Sequence, residues 1–163
     1  MSGDDRAGRA ASPPCGLADA PAAWSGFADR AEIRVLLAEL LAAERAGAAA
    51  LYRLCLPQCP PADRATLVEL ARDEARCAAM LVRQSRRYGG DVRVPRGAFY
   101  ERMAALEDYA GRIALLERGQ AWVARRLAAA LPRIGDGVLR RDLAWMHDLH
   151  ELNITRGRLL AGP

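Results

Sequence analysis

Apolar residues recur every three or four positions from Asp29 onward, and this spacing predicts amphipathic α-helices. Segments rich in proline and glycine interrupt the pattern three times, at 56–61, 88–97 and 131–137. The interruptions delimit four predicted helices, which span 29–56, 62–88, 98–131 and 137–160. Because the first and third connections are short, each joins two antiparallel neighbours. The pattern therefore predicts an all-α fold, an antiparallel four-helix bundle built from two helical hairpins.

Residues 1–28 lack this periodicity and consist mainly of small residues, proline and glycine. We expect them to form a disordered or loosely docked N-terminal tail, with Trp24 and Phe27 as candidate anchors. The predicted bundle then comprises residues 29–163.

The composition agrees with helices, because alanine, leucine and arginine dominate and only 6% of the residues are aromatic. The 24 basic residues are all arginines, and they are interspersed with 20 acidic residues. We therefore expect no nucleic-acid partner, which would need the positive charge gathered on one face. No segment has the roughly 18 uncharged apolar residues of a membrane span, and no secretory signal is evident. These features predict a cytoplasmic protein that makes no membrane contact.

The four cysteines are Cys15, Cys55, Cys59 and Cys77. They show neither a CxxC motif nor the spacing of a zinc site, so we expect reduced thiols that fill space in the protein. Copper or thiol chemistry that uses Cys55, Cys59, Cys77 and Met80 is a further alternative.

Each predicted helix carries an ionisable side chain near the middle of its inward seam, which follows alternating steps of three and four residues. These side chains are Glu44, Glu74, Glu117, His147 and His150. Residues at equal distances from a hairpin turn lie side by side, so Glu44 should face Glu74, and Glu117 should face the two histidines. We expect both groups to meet at the same level when the hairpins pack.

Burying three carboxylates without compensating charge would cost several kcal/mol for each of them. Bound metal ions would neutralise them, and carboxylates combined with imidazole form a ligand set that suits iron or manganese. The alternative is ion pairing, with Arg72 or Arg76 as the partner of Glu44 and Arg112 or Arg118 as the partner of Glu117.

Four segments also carry a resemblance to known proteins: LLAERAGA (41–48), DEARCAAML (73–81), RGQAWVARRL (118–127) and HDLHELNITR (147–156). Over residues 30–158 the chain resembles the ferritin-like superfamily, the four-helix bundles with carboxylate-bridged di-metal sites that include rubrerythrin-type proteins. More narrowly, the four segments look like an uncharacterised bacterial family of small ferritin-like proteins.

The superfamily pattern places Glu on the first and third helices and Glu-x-x-His on the second and fourth. The resemblance matches Glu44, Glu74, Glu117 and His150 to this pattern. Cys77 stands in place of the first histidine, and His147 stands in place of the Glu of the fourth helix. The candidate metal ligands are therefore Glu44, Glu74, Glu117, His147, His150 and Cys77. Both a single ion and an altered two-ion site of iron or manganese are compatible with this set.

Two functions are compatible with these features. The first is a metal-binding ferritin-like protein, with an atypical iron or manganese site that serves an oxidoreductase acting on oxygen or peroxide. The alternative is a non-catalytic bundle that has lost its metal and acts as a partner-binding or oligomeric module. We expect a homodimer in either case, because bundles of this size often bury a remaining apolar face.

Overall fold

The computed structural model describes residues 26–160. Within them the chain forms five α-helices: α1 (Arg30–Ala50), α2 (Arg64–Tyr88), α3 (Phe99–Ala104), α4 (Tyr109–Ala130) and α5 (Gly137–Leu160). A π-helical turn (Leu51–Cys55) and a 3-10 turn (Leu56–Gln58) continue α1, and a second 3-10 turn (Leu131–Arg133) follows α4. No strand occurs in the described part of the chain, so the prediction of an all-α protein is confirmed. None of the described helices is both long and apolar enough to cross a membrane.

The predicted N-terminal tail lies outside the described residues, Trp24 included, except for its last three positions. Of these, Ala28 donates its backbone N–H to the carbonyl oxygen of Arg133 at 2.8 Å. The ring of Phe27 lies against Gly135. The chain therefore enters the helical part beside the turn between α4 and α5.

Short polar residues define where the long helices begin. Asp29 caps α1 in a capping box with Glu32. The carboxylate of Asp108 accepts the backbone N–H of Gly111 at the start of α4, at 2.6 Å. Asp136 likewise accepts the backbone N–H groups of the second and third residues of α5. At the other end of α2, Gly89 adopts a left-handed conformation with φ of 68°, which glycine reaches at little cost.

The prediction of one continuous helix over 98–131 is wrong, because the chain breaks between α3 and α4 at 105–108. Asp108 has an extended backbone and caps α4, which starts a new helix there. The carbonyl oxygen of Leu106 accepts two hydrogen bonds from the guanidinium group of Arg112, at 2.9 and 2.6 Å. The side chain of Arg112 thus donates to this carbonyl in place of the backbone N–H that would do so in a continuous helix.

The four long helices pack as two pairs, α1 with α2 and α4 with α5, and the pairs meet through α1 with α4 and α2 with α5. The apolar core consists of two clusters, one around Leu37, Leu81, Leu127 and Leu143 and one around Leu51, Leu67, Met103 and Ile113. Each long helix contributes at least one buried polar side chain between the clusters: Glu44 from α1, Asp73 and Glu74 from α2, Gln120 from α4, and His150 and Asn153 from α5. A buried polar layer therefore divides the core at the middle of the helices.

Candidate metal centre

Three ionisable side chains converge in the polar layer: Glu44 from α1, Glu74 from α2 and His150 from α5. One ligand atom from each of them lies within 4.8 Å of the others. Their relative exposures are only 0%, 4% and 1%, so water does not solvate the charges. The three residues form the Glu44–Glu74–His150 cluster.

The imidazole of His150 is oriented by its own helix. Its Nδ1 lies 2.9 Å from the carbonyl oxygen of Met146, and because a carbonyl only accepts hydrogen bonds, Nδ1 carries the proton. In the neutral ring, Nε2 then keeps its lone pair, and it lies 3.3 Å from Oε1 of Glu44. A hydrogen bond of this kind from the far nitrogen is the usual means of fixing the orientation of a metal-binding histidine.

Two neighbouring residues fix the carboxylate of Glu74. Gln120 on α4 donates its side-chain N–H to Oε1 of Glu74. On α1, Gly47 leaves room for the carboxyl group, since a Cβ atom at that position would lie 2.5 Å from Oε2 of Glu74. The close approach of α1 to this carboxylate therefore requires glycine at position 47.

Four buried atoms around the cluster have no hydrogen-bond partner: both carboxylate oxygens of Glu44, Nε2 of His150 and Oε1 of Gln120. Each such atom costs about 1–3 kcal/mol when nothing compensates for its lost hydration. When Glu44 is ionised and the proton of His150 is on Nδ1, all four are acceptors, so none of them satisfies another; a protonated Glu44 would instead donate to Nε2 of His150. A cation held by one ligand atom each of Glu44, Glu74 and His150 would compensate the ionised carboxylates, and these residues therefore fit a bound metal ion.

Burial raises the pKa of both carboxyl groups. The pKa of Glu44 rises from its ordinary value of 4.5 to about 8, chiefly because the charged form is removed from water. The pKa of Glu74 rises well above its ordinary value for the same reason, and the charge of Glu44 adds to the effect. Without a cation, both groups therefore tend to keep their protons near neutral pH.

Cys77 is fully buried beside this cluster. Burial, together with the neighbouring carboxylates of Glu44 and Glu74, raises the pKa of its thiol far above the usual range. The side chain is therefore a neutral thiol, and its sulfur is not among the ligand atoms that lie within 4.8 Å of one another.

The structure does not bring Glu117 or His147 to the cluster. The side chain of Glu117 is 39% exposed, and its Oε1 lies 3.5 Å from Nε of Arg158. The imidazole of His147 is 26% exposed and lies 3.3 Å from a carboxylate oxygen of Asp148. Their neighbours Leu116 and Met146 occupy the inward positions instead.

The arginines do not form the ion pairs considered from the sequence. No guanidinium group of the described chain lies within 4 Å of Glu44, and Arg76 pairs with Asp73 instead. Arg112 donates to backbone carbonyl oxygens and to Gln58, so it does not neutralise Glu117. No arginine therefore compensates Glu44 or Glu74 in the described part of the chain, whereas the buried Asp73 pairs with Arg76 and Arg156.

The remaining described cysteines lie apart from Cys77, in the other apolar cluster. Sγ of Cys55 lies 3.7 Å from Sδ of Met103. The thiol of Cys59 donates to the carbonyl oxygen of Leu56 at 3.2 Å. The described thiols therefore do not converge on one copper site, and Cys15 lies outside the described residues.

A cleft of about 560 Å³ connects this region with the surface. It lies between α1, α3 and α4, and Glu74, Gln120 and Gly47 line it. Neither Gly47 nor Gln120 was among the candidate site residues predicted from the sequence. The sequence feature that points to them is the presence of a small residue and an amide side chain at the level of the two buried glutamates.

A family model described as Domain of unknown function (DUF6306) matches residues 31–159, which include every residue of the cluster. No curated protein and no solved structure matches the chain significantly. The chain belongs to the family described as Domain of unknown function (DUF6306).

Proposed function

We propose that the chain is a metal-binding protein of the ferritin-like type, with its four long helices forming a bundle around the Glu44–Glu74–His150 cluster. The observation that carries this proposal is the convergence of two buried carboxyl groups and an imidazole, with one ligand atom from each within 4.8 Å of the others. Apolar packing would not place such atoms together, because each is costly when it is left alone. A divalent cation would compensate both carboxylates at once.

The charge of the cluster favours one ion. Two carboxylates balance one divalent cation, whereas two such cations would leave two positive charges in a site that excludes water. The third carboxylate expected from the superfamily pattern, Glu117, is partly exposed and lies beside Arg158. We therefore propose a single ion held by Glu44, Glu74 and His150.

The donor atoms favour iron or manganese. Carboxylate oxygens suit Mn(II), and imidazole nitrogen suits iron. A soft thiolate ligand would favour copper or zinc, but the sulfur of Cys77 is not among the ligand atoms that lie within 4.8 Å of one another. Gln120 offers a further uncharged oxygen on the same side as Glu74.

We further propose that the site serves an oxidoreductase. When bound, iron or manganese supplies one-electron chemistry towards oxygen or peroxide. Gln120 and the carbonyl of Met146 hold Glu74 and His150 in fixed orientations, so little reorganisation would accompany the reaction. The cleft lined by Glu74 and Gln120 admits a small molecule, and the two apolar clusters exclude water from the other sides.

Thermal unfolding with and without added Mn(II) or anaerobic Fe(II) tests this proposal. A ligand present at 100 times its Kd stabilises the folded state by about 2.7 kcal/mol, so the melting temperature should rise clearly. Glu74→Gln should abolish the rise, and Glu117→Gln, a matched change outside the cluster, should keep it. An equal rise in Glu74→Gln, or no rise in the unmodified protein, would refute the proposed site.

A second candidate function, that of an oligomeric module, is favoured by an exposed apolar stripe on α5. Val138, Trp145, Leu152 and Leu159 follow one another at intervals of seven residues and are 40–79% exposed. Residues seven apart lie along one face of a helix, as in helices that pair with another helix. The stripe gives α5 a second apolar face besides the one that it buries in the core.

We propose a second copy of this chain as the occupant of the stripe. When two copies of α5 lie antiparallel about Trp145, Val138 of one copy faces Leu152 of the other. The same arrangement places Arg141 of one copy beside Asp148 of the other, and twofold symmetry repeats this pairing. In this antiparallel arrangement, apolar side chains of the two copies therefore contact each other and opposite charges lie side by side.

Light scattering coupled to size-exclusion chromatography measures the oligomeric state. We expect a dimer for the unmodified protein and a monomer for Leu152→Glu, which places charge within the stripe. Val35→Glu is the matched control, because Val35 is an exposed apolar residue on α1 outside the stripe. A monomeric unmodified protein, or a dimer that survives Leu152→Glu, would contradict this arrangement.

A further inference from the structure

The cleft beside the cluster has an apolar wall and a basic mouth. Leu116, Val123 and Trp122 of α4 and Phe99 of α3 form much of the wall. The ring of Phe99 lies directly on α4, because Gly119 has no Cβ atom, and one placed there would lie 2.8 Å from that ring. The absence of a side chain at position 119 therefore brings α3 against α4 and shapes the cleft.

Three arginines line the mouth of the cleft: Arg102, Arg118 and Arg125. All three are exposed, and none has a carboxylate within salt-bridge distance in the described part of the chain. Of the acidic residues that line the cleft, Glu39 is already engaged by Arg126 at 2.9 Å. The mouth therefore presents three guanidinium groups that have no carboxylate within salt-bridge distance in the described part of the chain.

The positions of these groups on α4 suit one kind of ligand. Arg118 and Arg125 lie two helical turns apart on one face, with Trp122 between them. Guanidinium groups bind carboxylates through paired hydrogen bonds, and the indole ring offers an apolar surface next to them. A volume of about 560 Å³ lies within the range of about 300–1,000 Å³ that is usual for small-molecule sites.

We propose that the cleft binds an organic acid with an apolar body. Its carboxylate lies at the mouth, where Arg118 and Arg125 hold it, and its apolar body lies along Leu116 and Val123. The opposite end then points towards Glu74 and Gln120 at the inner end of the cleft. This assignment gives the substrate class of the site proposed above, and only the role of that inner end rests on the proposed function.

Isothermal titration of the metal-free protein with octanoate tests binding in the cleft. Octanoate should bind, whereas acetate, which lacks the apolar body, and octan-1-ol, which lacks the charge, should bind much more weakly. Arg118→Gln and Arg125→Gln should each raise the Kd of octanoate about fivefold or more, because each removes a charge-assisted hydrogen bond. Arg140→Gln makes the same charge change on α5, away from the cleft, and should leave the Kd unchanged.

The orientation of the bound acid is tested separately with Mn(II)-loaded protein. Proton relaxation by Mn(II) falls steeply with distance, so the terminal methyl protons of octanoate should relax faster than the protons beside its carboxylate. The opposite order would overturn the proposed orientation.

These measurements distinguish the two proposals. Binding of octanoate by a protein that takes up no Mn(II) would support the organic-acid site and refute the proposed metal function. Binding of Mn(II) without octanoate, or an equal Kd in Arg118→Gln, Arg125→Gln and Arg140→Gln, would refute the organic-acid site alone.

Discussion

At the scale of single residues, the central feature is a carboxyl group that is buried without an arginine partner. Glu44 is fully buried, and both of its oxygens lack partners. Its pKa in the folded protein is about 8, compared with an ordinary value of 4.5. Between these two values the folded state of the metal-free protein binds more protons than the unfolded state, so its stability falls as the pH rises.

Glu44→Gln should therefore weaken the pH dependence of the metal-free protein. One such group contributes at most about 1.4 kcal/mol per pH unit to the free energy of unfolding. Gln remains neutral, and its amide can donate to Nε2 of His150, so the variant should be more stable than the unmodified protein at pH 8. Urea unfolding between pH 5.5 and pH 8 measures the two slopes. Identical slopes would show that Glu44 does not carry a raised pKa.

Gly47 gives a second test at this scale. Ala at this position would place its Cβ 2.5 Å from Oε2 of Glu74, so the carboxylate must leave its position. We expect Gly47→Ala to weaken Mn(II) binding about tenfold, since moving a buried side chain away from its preferred rotamer costs about 1 kcal/mol. Gly157→Ala is the matched control, because a Cβ in that helix meets no atom within 4 Å. Equal Mn(II) affinity in the two variants would remove the assigned role of Gly47.

The site could be predicted from the sequence for α1 and α2 but only in part for α4 and α5. The predicted seam passed through Glu44 and Glu74, and both are buried. On α4 the buried residues are Ile113, Leu116 and Gln120. The prediction had placed Glu117 on the inward seam instead of Leu116. Steps of three and four residues are both compatible with one helix face, so spacing does not decide between adjacent positions. On α5 the prediction placed His147 on the inward seam, whereas Met146 is the buried residue. The same ambiguity of spacing explains this difference.

At the scale of elements, Arg112 joins two irregular segments. Its guanidinium group donates to the carbonyl oxygen of Leu106 in the break before α4 and to that of Leu54 in the π-helical turn after α1. It also donates to the side-chain oxygen of Gln58 at 2.5 Å. The residue is only 6% exposed, so these bonds replace hydration that the carbonyl oxygens have lost.

Arg112→Leu should therefore destabilise the protein by about 3 kcal/mol, because it leaves two partly buried carbonyl oxygens and the side-chain oxygen of Gln58 without this donor. Arg72→Leu is the control, since Arg72 is exposed on α2 and should change the free energy of unfolding by less than about 0.5 kcal/mol. Chemical denaturation measures both values. A similar small effect for both variants would mean that Arg112 does not stabilise the break.

The break itself could not be predicted from local spacing. Residues 98–131 keep an apolar rhythm compatible with one helix, and the cap at Asp108 resembles any acidic residue on a helix surface. What ends the helical hydrogen bonding is a contact with a guanidinium group six residues further along the chain, together with tertiary bonds to the segment after α1. The proline and glycine interruptions, by contrast, act locally and were located correctly.

At the scale of the whole molecule, a polar layer crosses the core between two apolar clusters, with at least one side chain from each long helix. Such a layer is unfavourable for stability in the absence of a compensating charge. No arginine pairs with Glu44 or Glu74 in the part of the chain that the structure describes, which supports the proposed metal site. The proposed single ion would account for the convergence of the carboxyl groups, the orientation of His150 and the space provided by Gly47 together.

The most direct test is the metal content of tag-free protein that has been supplied with iron and manganese, measured by inductively coupled plasma mass spectrometry. His150→Ala and His147→Ala are compared with the unmodified protein, and circular dichroism verifies that all three are helical. We expect close to one metal ion per chain in the unmodified protein and in His147→Ala, and almost none in His150→Ala. Equal metal content in the two histidine variants, or a folded unmodified protein that binds no metal, would contradict the proposed centre.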